Sequence, residues 1–152
     1  MILMMIMSLL SFGNSCEYGK NCMLEQSSLQ NRSLVRKNVI GSNLETCSTN
    51  PITGFYRDGT CYSDSRDRGN HSVCAQVTEK FLKYTRSKGN DLSTPNPRYG
   101  FSGLKSGDSW CLCAGRWQEA VRAGIEVKVN LKATHGRALE VVDINELTNH
   151  SR

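Results

Sequence analysis

Seven cysteines and three histidines are spread over 152 residues, and their spacing defines the chemistry to consider. Cys111 and Cys113 alternate within Trp110-Cys111-Leu112-Cys113. In an extended strand their sulfurs point to one face, about 7 Å apart, with Trp110 and Leu112 on the other. His71 and Cys74 are spaced as a ligand pair, and Cys47 and Cys61 lie upstream. Three readings follow. Cys61 or Cys113 can serve as a nucleophile or redox thiol with His71 as its base. Cys61, His71, Cys74, Cys111 and Cys113 can instead supply ligands for a structural zinc ion, although the spacing gives only half of the usual two-pair signature. In the third reading the sulfurs pack or pair as disulfides. The odd count leaves at least one thiol unpaired within a monomer.

A second group of residues is polar. Thr53-Gly54-Phe55-Tyr56-Arg57-Asp58-Gly59 places Arg57, which can bind an anion, beside Asp58, which can accept a proton. The alternative is a turn Asp followed by its Gly, with Arg57 on the surface. His135, in Ala133-Thr134-His135, can be an acid, a base or a hydrogen-bonded structural residue. Residues 89–108 contain two of the three Pro residues and little periodicity. Connections this long tend to be functional or disordered. Asn90, Asp91, Ser93 and Thr94 in it can meet a ligand or cap the loop's own backbone. No serine nucleophile elbow, phosphate-binding glycine loop or dinucleotide fingerprint is present.

These residues lead to a small binding domain in which Arg57, Asp58, His71, Asn90, Asp91, Trp110 and His135 contact a small polar or anionic ligand beside the cysteine-bearing strand. The rival is a thiol-dependent enzyme or redox protein, with Arg57 stabilising charge. The third reading is the zinc domain. The pattern requires no cofactor, zinc being the one alternative.

An α+β domain must position these groups. Asp58-Gly59, between Phe55-Tyr56-Arg57 and Thr60-Cys61-Tyr62, predicts a short β-hairpin. Residues 72–77 read as extended. Thr78 then caps a helix carrying Phe81, Leu82 and Thr85 on one face, closed by Lys88 and Gly89. A second unit repeats the order: a strand over 110–114, then a helix over 116–123 with Trp117, Ala120 and Val121 inward, ended by Gly124. Val127, Val129 and Leu131 alternate with Lys128, Asn130 and Lys132, which predicts a strand with one wet face. Asp143 caps a short final helix through Leu147. Phe101 and Leu104 can pin the long loop to the core.

The length suits one domain. No apolar run reaches the roughly 18–20 residues that a membrane helix needs. Residues 1–12 are nearly all apolar, and Gly13-Asn14-Ser15 supplies small residues for cleavage. Residues 1–15 therefore read as a signal peptide, though without a basic start. Residues 16–37 form a polar linker holding Cys16 and Cys22, and 38–152 form the folded domain. This reading places the mature protein outside the membrane, secreted or in an endomembrane lumen; without a functional leader it is cytoplasmic. Sequons at Asn31, Asn70 and Asn149 fit the export route but occur at about the chance rate. The net charge is +5, and nearly all of the excess lies in residues 66–88, where Arg66, Arg68, Lys80, Lys83, Arg86 and Lys88 stand against the two acids Asp67 and Glu79. These bases are scattered with little aromatic company, so a solvated face is expected and nucleic acid is not.

Four stretches carry a family resemblance. They are Cys47-Ser48-Thr49-Asn50-Pro51-Ile52-Thr53-Gly54-Phe55-Tyr56-Arg57-Asp58-Gly59, Gly89-Asn90-Asp91-Leu92-Ser93-Thr94-Pro95, Gly107-Asp108-Ser109-Trp110-Cys111-Leu112-Cys113-Ala114 and Ala133-Thr134-His135. The chain from about Asn38 to Asn149 resembles the bacterial domain of unknown function 2237. The resemblance implies a single small α+β domain and brings no activity or catalytic residue. Relatives of this type resemble cytosolic proteins without a leader, where disulfides are rare. It therefore implies that Cys47, Cys61, Cys74, Cys111 and Cys113 serve as thiols, ligands or a reactive site.

Overall fold

The computed structural model describes residues 36–152. The leader, Cys16, Cys22, the sequon at Asn31 and all but the last two linker residues lie outside them. The regular elements are β1 (Val73–Gln76), α1 (Glu79–Ser87), β2 (Ser109–Leu112), α2 (Ala114–Arg122), β3 (Lys128–Val129) and α3 (Ile144–Asn149). Short 3-10 turns occupy Pro97–Tyr99, Leu131–Ala133 and Gly136–Glu140. The sheet runs β2-β1-β3 with both neighbour pairs antiparallel. This is a small α+β domain, and among the described residues no helix is long and apolar enough to cross a membrane.

Strand alternation sorts the sheet into two unlike faces. Val73 and Ala75 of β1 and Trp110 and Leu112 of β2 face a hydrocarbon core. Phe81 and Leu82 of α1, Trp117 and Ala120 of α2, and Leu147 of α3 fill that core at helical spacing. Trp117 is fully buried, and its indole N–H donates to the Val127 carbonyl at 3.1 Å. The intervening residues, Cys74 and Cys111, are directly opposed across β1 and β2. They join Cys61 and Ala133 in a separate sulfur-rich cluster, with Cys47 packed against it.

The caps explain the element ends. Thr78 Oγ1 accepts from the Phe81 N–H at 3.1 Å and starts α1. Asp143 does the same for α3 through Asn145 at 2.8 Å. The strand expected over 127–131 is cut to two residues because Asn130 Oδ1 accepts from the Lys132 N–H and starts a 3-10 turn.

The hairpin expected around Asp58-Gly59 does not form. The turn exists, but Thr60 bridges Thr46, and the Gly59 carbonyl accepts from Cys47 and Ser48. Residues 47–60 thus close on themselves as a loop in which Arg57 takes a φ of 55°. Gly54 makes this closure feasible: at φ 95°, an added Cβ would lie 2.2 Å from the Thr60 carbonyl oxygen.

Candidate functional site

Residues 54–57, the long loop 90–101 and the end of β2 wall a cavity of about 640 Å3. It gathers Arg57, His71, Asn90, Asp91, Trp110 and Cys113, and its size lies within the usual range for small-molecule sites. Apolar walls come from Phe55, Leu92, Pro95, Tyr99, Phe101 and Leu112. Phe101 packs on Trp110 with ring centroids 5.4 Å apart. The guanidinium of Arg57 lies 4.8 Å over the Trp110 ring and donates to the Gly54 carbonyl at 3.2 Å. No carboxylate among the described residues pairs with Arg57, so its charge is available on the cavity wall.

The thiol side of the cavity is built where β2 ends. In a continuing strand Cys113 would join Cys111 on the sulfur-rich face. Instead the chain turns into α2, and Cys113 becomes its N-cap with φ −55° and no capping bond from its side chain. Both residues border the cavity, but the Cys111 sulfur is bonded within the cluster while the Cys113 thiol stays free, so the two sulfurs expected to share a face have different partners. Cys113 is the free cysteine among the described residues. It also sits beside the first turn of α2, where the Ala114 N–H donates to the Asn70 carbonyl at 2.9 Å and the helix dipole favours negative charge.

His71 lies on the cavity wall with Cys113, and the thiol is the first influence on its titration. Its Nδ1 meets Asp67 Oδ1 at 2.7 Å, which leaves Nε2 for the sulfur. The hydrogen bond with Cys113, reinforced by Asp67, outweighs desolvation and raises the His71 pKa to about 9. Asp67 is fully buried. Burial alone would raise its pKa; hydrogen bonds from the His71 ring, the His71 N–H and Ser63 Oγ outweigh it and hold the carboxyl below its ordinary value. Arg137 anchors this segment, donating to Ser63 Oγ at 2.9 Å, to the Asp67 carbonyl at 2.8 Å and to the Asp64 carbonyl. Phe55 stacks on the His71 ring at 6.1 Å. Gly69 also lies against the ring: an added Cβ there would come within 2.6 Å of His71 Cε1.

The other sequence candidates go elsewhere. Cys61 is fully buried and bonded to Cys111, and Cys47 is bonded to Cys74. Cys61 is thus not a nucleophile, and the five-residue zinc set divides: Cys61, Cys74 and Cys111 are in disulfides while His71 and Cys113 face each other. Four of the five core cysteines are paired, against what the family resemblance implied. Asp58 caps its own turn, with Oδ1 accepting from the Thr60 N–H at 2.9 Å and Oγ1 at 2.8 Å. His135 is buried, caps a 3-10 turn and meets Tyr62 edge-on. Neither Asp58 nor His135 lines the cavity. Asp91 lines it but also caps the loop, accepting from the Ser93 and Thr94 N–H groups at 2.9 and 3.0 Å. Asn90 donates to Thr85 Oγ1 at 3.0 Å. Asn70, a sequon residue, is buried and donates to the Arg137 carbonyl.

Asp67 is the residue that sequence reasoning missed, being counted only as one acid among several bases. Its separation of four from His71 signals a contact only on a helix, and here a turn makes the contact. No curated protein is similar enough to the chain to match it. Over residues 37–151 the chain matches the model of a family described as uncharacterised proteins conserved in bacteria, domain of unknown function 2237 (DUF2237), and it belongs to that family.

Proposed function

We propose that the protein is a thiol-dependent acyl-transfer enzyme, with Cys113 as nucleophile, His71 as acid and base, and Asp67 as the group that orients His71. The observation that carries this reading is the chain of contacts Asp67–His71–Cys113, which ends on the free thiol at a cavity. Triads of this kind are recognised by geometry and roles rather than by order along the chain. The expected pocket for a small polar or anionic ligand becomes the substrate site, with Arg57 holding an anionic group and the aromatic wall its apolar part.

In the reaction, the Cys113 thiolate attacks a carbonyl carbon and forms a C–S bond. The Gly115 and Arg116 N–H groups in the first turn of α2 offer hydrogen bonds to the oxyanion, the Ala114 N–H being held by the Asn70 carbonyl. As the bond to the leaving group breaks, His71 gives that group its Nε2 proton. Water or another nucleophile then loses a proton to His71, attacks the acyl-enzyme and releases the thiolate. A second cavity, bounded by Gly69, Cys113, Gly115, Arg116 and Glu119, gives this second nucleophile its own approach. The two disulfides support an oxidising compartment, in keeping with the apolar leader.

The test is alkylation of the full chain by iodoacetamide across pH, with mass-spectrometric mapping of Cys113. Cys113 is expected to react near pH 6.5 at least about tenfold faster than an ordinary thiol, and His71→Asn to abolish the excess. A carboxylate-bearing acyl thioester should leave its acyl mass on Cys113. A Cys113 rate that follows ordinary thiol titration overturns the proposal.

A further inference from the structure

The four paired sulfurs form one cluster rather than two separate cross-links. The Sγ atoms of Cys47, Cys61 and Cys74 all lie within 4.8 Å of one another although they belong to two different disulfides. Cys111 Sγ is bonded to Cys61 but lies outside this three-sulfur group. Two of the four come from opposed positions of β1 and β2, and two from the loop 47–61. A tetrahedral thiolate site has metal–sulfur bonds of about 2.3 Å, hence sulfurs about 3.8 Å apart. Opening each disulfide lets its sulfurs separate toward that spacing; Cys61 then needs to approach Cys47 and Cys74 by about 1 Å or less, and Cys111, outside the 4.8 Å group, has further to move.

The loop gives a reason for such a site. Residues 47–60 wall the cavity with Gly54, Phe55 and Arg57 but leave Ile52, Phe55 and Tyr56 substantially exposed. Little apolar burial holds the loop; Thr53 Oγ1 accepts from the Cys111 N–H at 2.9 Å and Arg57 lies over Trp110, while the covalent ties to the sheet are the sulfurs at its two ends. Reduction removes both covalent ties at once.

We propose that the reduced protein binds one thiophilic divalent cation, zinc by its chemistry, through Cys47, Cys61, Cys74 and Cys111. Two equivalents of a dithiol reductant open the two disulfides, are themselves oxidised to disulfides, and leave four thiols. Zinc then displaces four protons and bonds four thiolates, keeping its own oxidation state. The same four residues thus fasten the loop with disulfides in an oxidising compartment and with metal in a reducing one. This inference does not depend on the catalytic reading, because Cys113 and His71 take no part.

The test uses the full chain carrying Cys16→Ser, Cys22→Ser and Cys113→Ala, reduced anaerobically with a phosphine and then given zinc or cobalt(II). One zinc per chain should survive gel filtration, and the cobalt form should show thiolate-to-metal charge-transfer bands with intense tetrahedral d–d bands. Cys47→Ser or Cys61→Ser should weaken binding more than about 100-fold. If reduction unfolds the chain, zinc should restore its circular dichroism. Absence of stoichiometric metal, binding unaffected by Cys47→Ser, or a reduced chain that zinc fails to refold overturns the proposal.

Discussion

Replacing Cys113 with Ala tests the coupling at the centre of the site through a group other than the thiol. In the intact protein the His71 pKa is raised from 6.5 to about 9, first by its hydrogen bond with Cys113 and then, against desolvation, by the charges of Cys113 and Asp67. The rise corresponds to about 3 kcal/mol favouring the imidazolium. The side chain is 36% exposed, so solvent screening reduces the part that reaches folding stability to about 1–2 kcal/mol. The sign follows from the direction of the shift. A pKa higher in the folded than in the unfolded chain adds stability fully below pH 6.5 and loses it as pH climbs through about 9. Cys113→Ala removes the first cause and leaves Asp67, so the imidazole should titrate about one to two pH units lower. Two-dimensional NMR of the ring protons reads this directly. Urea unfolding of both proteins from pH 6 to 10 should show the wild type losing more stability across that window. A His71 that still titrates near 9 in the variant would refute the contact on which the thiol chemistry rests.

Three further outcomes follow from the same geometry. Gly69→Ala places a methyl group 2.6 Å from His71 Cε1; the fold should persist by circular dichroism while Cys113 alkylation slows by about 10- to 100-fold. Asp67→Asn removes the charge that holds the ring, and should lower the His71 pKa in the NMR titration while slowing acylation of Cys113 at least about 100-fold. Trp117→Ala empties a fully buried site whose indole N–H bonds Val127; denaturant unfolding should report a loss of about 3–5 kcal/mol.

The parts of the fold legible in the sequence were those fixed by local signals. Thr78, Gly89, Gly124 and Asp143 mark helix ends because caps act on the nearest backbone groups. Leu104, 3% exposed, does pin the long loop, as an isolated apolar residue in a polar stretch suggests. The hairpin reading failed because Asp58-Gly59 specifies a turn but not the partner of the flanking residues, which proved to be residues 46–48. Long-range pairing is not encoded in a dipeptide. The cavity residues Arg57, His71, Asn90, Asp91 and Trp110 were identifiable by type, whereas Asp58 and His135 carry the same chemistry and serve turns. Residue type cannot separate these cases, because a carboxylate two residues from an N–H satisfies it whether or not a ligand is near.

Cys111 and Cys113 show how one backbone event divides the functions of neighbouring residues. Period-two alternation assigns them the same face and hence the same fate. Ending the strand at Leu112 rotates the next side chain away, so one sulfur is bonded in the cluster that fastens the loop and the other reaches His71. Lengthening β2 by one residue would return Cys113 to the sulfur-rich face and separate it from the Asp67–His71 pair. The strand-to-helix junction at Cys113 is therefore the feature that makes the site: it frees the thiol from pairing, places it at the positive end of α2 and directs it to a cavity whose wall also carries the Arg57 guanidinium.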